Sequence, residues 1–306
     1  MKYVVLIGDG MADYPIKELG GKTPLEVAKT PNMNYIAAHG KCGMMRNVPD
    51  GMEPGSDVAN LSILGYDPRR YYTGRGPLEA ASIGIKLGRG DIAFRCNLIT
   101  ENDGTMADYS AGHITTEESG ELIPLIDREL GNSKIKFYPG VSYRNLLVIK
   151  DLTYEKVKCT PPHDIIGLET EKYLPKGSTR QAKVLANLML KSKPILEAHE
   201  INVRRRLEGR NQANMIWMWG QGRMPGLPAF KEKFGVEGGM ISAVDLLKGI
   251  AIYAGLRIIK VPGITGYFDT NYKGKAEYAL NALKKLDFIC VHVELSLIHI
   301  SEPTRP

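Results

Sequence analysis

From Lys2 to Ile7 the chain is an almost unbroken run of apolar and β-branched residues, and it stops at Gly8-Asp9-Gly10-Met11-Ala12-Asp13. A short apolar run without polar alternation predicts a strand buried on both faces, the habit of parallel sheets. Parallel strands need crossover connections, so this one segment constrains the connectivity of the rest of the chain. Thr23-Pro24 and Thr30-Pro31 each predict a helix start, with proline at the first position behind a threonine cap. Near the other end, strand and helix patterns alternate through Asn214–Trp219, Ser242–Tyr253, Arg257–Val261, Lys275–Lys285 and Phe288–Val293. The expected architecture is α/β, with a doubly wound sheet.

The texture changes after Tyr66-Asp67-Pro68. A basic, aromatic, glycine-rich loop from Arg69 to Pro77 leads into a helix at Leu78–Ile83 and a strand at Asp91–Thr100. Glu101-Asn102-Asp103-Gly104-Thr105 predicts a hairpin turn returning through Met106–Tyr109. A helix over Glu117–Leu130, strands at Lys134–Tyr138 and Tyr143–Ile149, and a long helix over Gln181–Glu200, kinked or broken near Pro194, complete an α+β segment. The expected division is a discontinuous core, residues 1–68 and 210–294, interrupted by an inserted domain, residues 69–209.

The balance of 40 basic and 34 acidic residues, a net +6, is too modest and too dispersed for a nucleic-acid protein. No apolar run is long enough to span a membrane. Cys42, Cys96, Cys159 and Cys290 are far apart and read as reduced thiols of a cytoplasmic protein. The chain opens directly on a strand, so no secretory leader is read.

Two residues point to chemistry. In an open α/β sheet ligands gather at the carboxyl ends of strands, where Asp9 falls; a turn-forming role is the alternative. Ser56, in Glu53-Pro54-Gly55-Ser56-Asp57-Val58-Ala59-Asn60-Leu61, falls at or near a helix N-terminus, where free N–H groups favour an anion. It serves there either as a helix cap or as a nucleophile toward phosphate. A strand over Met44–Val48 is expected to lead into it.

With these pieces placed, the chain resembles the archaeal-type cofactor-independent phosphoglycerate mutases of the alkaline phosphatase superfamily. The resemblance runs from Met1 to Glu294. Its motifs are Gly8–Asp13, Gly55–Asn60, Tyr72-Thr73-Gly74-Arg75-Gly76-Pro77-Leu78-Glu79, Ala93–Asn97, Asp108-Tyr109-Ser110-Ala111-Gly112-His113-Ile114 and Ile216–Gly222. It implies an alkaline-phosphatase-like sheet and two divalent metal ions, manganese or magnesium. Ser56 is then the nucleophile that takes the phosphoryl group of 3-phosphoglycerate, and Ser56 and Asp9 ligate one metal. The inserted domain would hold the glycerate and exclude water, with His113, Arg144, His163, Asp164 and Arg205 as candidate contacts. Lys273 is the candidate phosphate contact from the core. Arg75 and Arg95 are left between substrate contact and structural ion pairing.

The family's remaining metal ligands, an Asp-x-x-x-His segment, an Asp-His pair and a further histidine, are not found after Glu294. Residues 295–306 read instead as a non-native tail, with a native edge strand over Leu295–Ile300 and a polar terminus as the alternative. The resemblance therefore implies an incomplete sheet, weak manganese binding and an inactive polypeptide. Another metal-dependent phosphomutase or phosphatase of the superfamily, and a non-catalytic phosphoglycerate-binding protein, are the alternatives. Homo-oligomerisation is left open.

Overall fold

The structure, a computed structural model, describes residues 1–294, so the segment read as a tail lies outside the described residues. The strands among them are β1 (Tyr3–Asp9), β2 (Ile92–Asn102), β3 (Thr105–Asp108), β4 (Ile135–Val141), β5 (Arg144–Ile149), β6 (Met215–Arg223), β7 (Gly238–Ile241), β8 (Arg257–Ile258) and β9 (Phe288–Glu294). The chain divides into two compact units: Met1–Arg70 with the segment from Leu227 onward, and Tyr71–Gly226. The mixture of a parallel and an antiparallel sheet makes the fold α/β.

In the first unit the sheet order is β1-β9-β7-β8, and every pair is parallel. The helix Asp245–Tyr253 is the crossover from β7 to β8, and the helix Tyr272–Ala282 precedes β9. Ile241, Val261, Ala279, Ile289 and Val291 form the packed centre. β7 escapes sequence reading because Gly238-Gly239 has no side chains to show a pattern. A Cβ on Gly238 would lie 2.6 Å from Leu256, so the close packing that defines the strand also removes its signature.

β1 differs from the expectation of burial on both faces. Val4 is 56 % and Leu6 69 % exposed. Among the described residues β1 is an edge strand paired only with β9, and the helices Pro24–Val27 and Pro31–His39 bury none of their residues. Both helices begin at the expected prolines, but only Thr23 caps, in a reciprocal arrangement with Glu26. The expected strand over Met44–Val48 does not form, and Met44 and Met45 are exposed; among the described residues no strand pairs with that stretch.

In the second unit β2 is the spine. It pairs antiparallel with β3, β5 and β6, and β5 pairs with β4. Asn214–Trp219, expected in the parallel sheet, therefore belongs to this unit, and the chain leaves it after Gly226 rather than after Gly209. Its apolar run reads alike in either sheet; the register with β2 decides. The helix Thr116–Leu130 starts at a Thr115/Glu118 capping box. The helix Arg180–Glu197 continues through Pro194, because Leu185, Leu188, Met189 and Leu196 are buried on either side of it.

A close crossing fixes the loop before β2. A Cβ on Gly222 would lie 2.1 Å from the Thr73 carbonyl oxygen, and one on Gly74 2.0 Å from that of Gln221. Both neighbours are backbone and cannot move aside. Gly222→Ala is expected to cost about 3 kcal/mol of stability, measured by urea unfolding, and a loss near zero would show that the crossing is loose.

Candidate functional site

Parallel pairing assembles the first cluster. β1 and β9 run in register, with Ile7 beside His292 and Asp9 beside Glu294. Side chains two apart on a strand share a face, so His292 and Glu294 come together at the carboxyl end of β9 with Asp9 alongside. His292 Nε2 lies 3.2 Å from Asp9 Oδ2, and one ligand atom from each of Asp9, His292 and Glu294 falls within 4.8 Å of the other two. His292 is 1 % and Glu294 4 % exposed. Two carboxylates and an imidazole suit a divalent cation such as manganese or zinc. Among the described residues this is the one such group of histidine, cysteine and acidic side chains.

Lys275 closes the cluster from the helix Tyr272–Ala282. It is 1 % exposed and donates from Nζ to the His292 carbonyl oxygen at 3.1 Å. Burial lowers its pKa from the ordinary lysine value, against the nearby Glu294 carboxylate, which raises it. Lys273, the residue expected from sequence, lies on the other face: its side chain is 86 % exposed and 3.7 Å from Glu277. Helical spacing was the available signal, since Lys275 shares a face with buried Ala279 at i+4.

Ser56 is the first residue of the helix Ser56–Ile63. The N-cap position belongs to Gly55, which offers no side-chain cap, so the helix does not use the Ser56 hydroxyl as its cap. Asp57, Val58, Asn60 and Leu61 are buried and anchor this first turn, and Asn60 Nδ2 donates to the Ser56 carbonyl at 2.8 Å. The serine therefore stands at a helix N-terminus with its hydroxyl uncommitted to capping.

In the second unit, rings and guanidinium groups form a continuous tray. Arg95 lies over the Trp219 ring at 4.3 Å and Arg75 at 5.6 Å. His163 meets Trp219 edge-on at 5.1 Å and Tyr109 at 6.1 Å. Tyr109 meets Tyr143 at 5.7 Å, and Tyr143 is flanked by His113 at 6.2 Å and by Arg144 at 5.4 Å. Trp219 is held by its Nε1, which donates to Asn97 at 3.0 Å. Gly220 takes a left-handed φ of 60°, which glycine adopts without strain, and it lies beside the Arg75 and Arg95 stems, 3.5 Å and 3.7 Å from where a Cβ would be.

Arg95 is 8 % exposed, and its Nε is 3.2 Å from Glu79 without the alignment of a hydrogen bond. Burial lowers its pKa, opposed by Glu79 and assisted by the like charges of Arg144 and Arg75. Three guanidinium groups thus share one environment, an arrangement that favours an anion.

His113 sits on a strained loop. Ala111, Gly112 and His113 all have left-handed φ, 51°, 63° and 51°. Asp108 holds the loop: its carboxylate accepts from the Ser110 N–H and hydroxyl at 2.7 Å each, from the Gly112 N–H at 2.5 Å and from the Asn211 amide at 2.9 Å. Burial opposes ionisation of Asp108, but these hydrogen bonds outweigh it and hold its carboxyl below the ordinary range. The stability it confers is therefore complete above about pH 4 and is lost as pH falls through the lowered folded-state value. Asp108→Asn is expected to weaken the unit at pH 7 and to flatten the acid limb of its stability curve. An unchanged acid limb would assign that limb to other carboxylates.

Arg205 stands behind the same loop. It is fully buried, and donates to the carbonyl oxygens of Ala111 at 2.5 Å and Asn211 at 2.7 Å and to Glu118 at 2.6 Å. The structure therefore brings His113, Arg144 and His163 onto one tray, with Asp164 3.7 Å from His163 and its side chain 57 % exposed, and keeps Arg205 inside the protein. Sequence reasoning missed Lys275, His292 and Glu294 and left Arg75 and Arg95 undecided. The period-two spacing of His292 and Glu294 was visible, but their pairing with Asp9 was not.

Among the described residues, no helix is long and apolar enough to cross a membrane.

The profile of the 2,3-bisphosphoglycerate-independent phosphoglycerate mutases matches residues 37–202. A curated 2,3-bisphosphoglycerate-independent phosphoglycerate mutase from Methanosarcina barkeri is 57 % identical over 294 residues, 96 % of this chain and 73 % of the relative. A solved protein from Pyrococcus horikoshii matches with a TM-score of 0.78 and 33 % identity, over 96 % of this chain and 70 % of that one. The cofactor-independent phosphoglycerate mutase of Thermoplasma acidophilum matches with a TM-score of 0.63 and 33 % identity, over 96 % and 77 %. With more than half of its relative's residues identical and the whole described length aligned, the chain belongs to the family of 2,3-bisphosphoglycerate-independent phosphoglycerate mutases.

Proposed function

We propose that Ser56 is this chain's nucleophile for the reaction its relatives are named for, the interconversion of 3-phosphoglycerate and 2-phosphoglycerate, taking the phosphoryl group as a phosphoserine. The observation that carries the reading is Ser56 itself, at a helix N-terminus whose cap is Gly55. The hydroxyl oxygen attacks phosphorus, the bond from phosphorus to the substrate oxygen breaks, and the 2-hydroxyl of glycerate later takes the phosphoryl group back. The helix N–H groups face the oxygens of the transferring group. A divalent cation, when bound, supplies a lowered hydroxyl pKa and compensation of phosphate charge; Asp9 is its proposed protein ligand together with Ser56.

Recognition of glycerate is assigned to the tray of the second unit. Arg75, Arg95 and Arg144 offer planar forks for carboxylate and phosphate oxygens, and His113 and His163 offer hydrogen bonds to hydroxyls. Arg205 is given a positioning role, since it holds the carbonyl of Ala111 two residues before His113. Lys273, whose side chain is 86 % exposed, is the proposed phosphate contact from the core, while Lys275 is buried against the His292 carbonyl.

The test is phosphopeptide mass spectrometry after exposure to manganese and 3-phosphoglycerate. Phosphate on Ser56 is expected, and none on the Ser56→Ala protein. Phosphate elsewhere, or conversion to 2-phosphoglycerate by Ser56→Ala, removes Ser56 from the reaction. Equal labelling from nitrophenyl phosphate or a pentose phosphate would favour a broader phosphatase or phosphomutase reading.

A further inference from the structure

We infer that Asn97 is a positioning residue of the tray, a buried amide that fixes the Trp219 ring and the chain at Tyr109 relative to each other. The inference rests on the proposed reading of the tray as the anion site, and it assigns Asn97 no contact with the ligand.

The strand supplies the placement. On β2, Asn97 follows Arg95 by two residues, so the two side chains share a face of the sheet. Its partners across the ladder are Arg144 on β5 and Trp217 on β6. Asn97 is 1 % exposed, and both ends of its amide are occupied. Oδ1 accepts from Trp219 Nε1 at 3.0 Å, and Nδ2 donates to the Tyr109 carbonyl oxygen at 3.1 Å. An indole N–H only donates and a carbonyl only accepts, so these two partners fix which way the amide points. The flipped amide would set donor against donor and acceptor against acceptor.

The two partners anchor the tray. Trp219 carries Arg95 at 4.3 Å and Arg75 at 5.6 Å over its ring and meets His163 at 5.1 Å. Tyr109 meets His163 at 6.1 Å and Tyr143 at 5.7 Å. A ring held by packing alone can turn about its broad terminal torsion, and guanidinium groups stacked on it follow its plane. The bond to Asn97 fixes that plane. The second bond ties the same amide to the chain just before the left-handed turn of Ala111, Gly112 and His113.

Burial argues that the amide is there for its bonds. A leucine of similar size would fill the same space without desolvating a polar group. The amide's desolvation is offset only by its two hydrogen bonds, and those bonds specify geometry.

The experiment combines indole spectroscopy with ligand binding on the full chain. The chain has two tryptophans, and both indole N–H groups donate, Trp217 to the Thr160 carbonyl at 2.9 Å and Trp219 to Asn97. Two indole resonances are therefore expected in a nitrogen–proton correlation spectrum, that of Trp219 being the one lost in Trp219→Phe. Asn97→Leu should move the Trp219 resonance upfield and leave the Trp217 resonance in place, which also reports that the unit is folded. In the same variant, calorimetric affinity for 3-phosphoglycerate should fall about tenfold, the effect of one lost hydrogen bond passed to groups that touch the anion. Trp219→Phe breaks the same bond from the other side and should weaken binding as well. The double variant should lose well under the product of the two single losses, because Asn97 acts through that ring.

An unmoved Trp219 resonance in Asn97→Leu overturns the inference, as do losses that simply multiply. Should Asn97→Leu fail to fold, unchanged affinity in Trp219→Phe overturns it. If Arg144→Gln weakens binding and Asn97→Leu does not, the tray remains the anion site and the inference alone fails. If the unsubstituted chain does not bind 3-phosphoglycerate, or Arg144→Gln binds it as tightly, the reading of the tray falls and the inference falls with it.

Discussion

Replacing Arg205 by methionine is expected to destabilise the second unit by about 3 kcal/mol. The guanidinium is fully buried, its Nη1 is 2.6 Å from Glu118, and its other contacts are two backbone carbonyls. Methionine leaves those carbonyls unpaired and withdraws the shortest partner of a carboxylate whose side chain is 11 % exposed. Arg210 at 3.4 Å and Arg204 at 3.8 Å still face Glu118, which is why the low end of the cost for breaking a buried pair applies. For a unit of this size the melting midpoint should fall by about 6–12 °C. Adding Glu118→Gln should recover more than about 1 kcal/mol, because the carboxylate no longer needs its partner. A cost below about 1 kcal/mol for Arg205→Met alone would show that the network around Ala111 does not depend on it.

Arg144→Gln is expected to do the reverse: leave stability nearly unchanged and weaken 3-phosphoglycerate binding about thirtyfold. Arg144 is exposed, lies over the Tyr143 ring, and has no ion pair among the described residues, so its removal orphans nothing. A charge-assisted hydrogen bond to a carboxylate or phosphate is worth about 2 kcal/mol, which converts to that factor. Arg95→Lys should weaken binding by about tenfold while keeping the charge, since lysine has neither the planar fork nor the stacking on Trp219. Both effects are read by calorimetric titration with 3-phosphoglycerate. If Arg144→Gln binds as tightly as the unsubstituted chain, the tray is not the anion site.

These two arginines also show how far sequence reading reaches. Arg144 and Arg205 both read as candidate substrate contacts, because the residue type and its motif are the same evidence in each case. What separates them is depth. Arg205 lies on a helix face that turns toward Glu118 and the Ala111 loop, and a helical wheel alone does not say which partner that face meets. Lys273 and Lys275 repeat the lesson at two residues' spacing, where the helix presents one to solvent and the other to the end of β9.

Local rules were enough for much of the chain. The parallel-strand habit of Lys2–Ile7, the prolines at 24 and 31, the Thr115/Glu118 capping box and the Asp103-Gly104 turn are set by neighbours within a few residues, where propensity, capping and turn chemistry act. The position of Ser56 at a helix start and of Asp9 at a strand end follow from the same rules. Tertiary structure alone decided the rest. The sheet to which β6 belongs, the pairing of Asp9 with His292 and Glu294, and the tray that joins Arg75, Arg95, Arg144, His113 and His163 depend on strands and loops brought together from distant parts of the chain. Register and burial are collective properties of packed elements, and neither is encoded in any one stretch of residues.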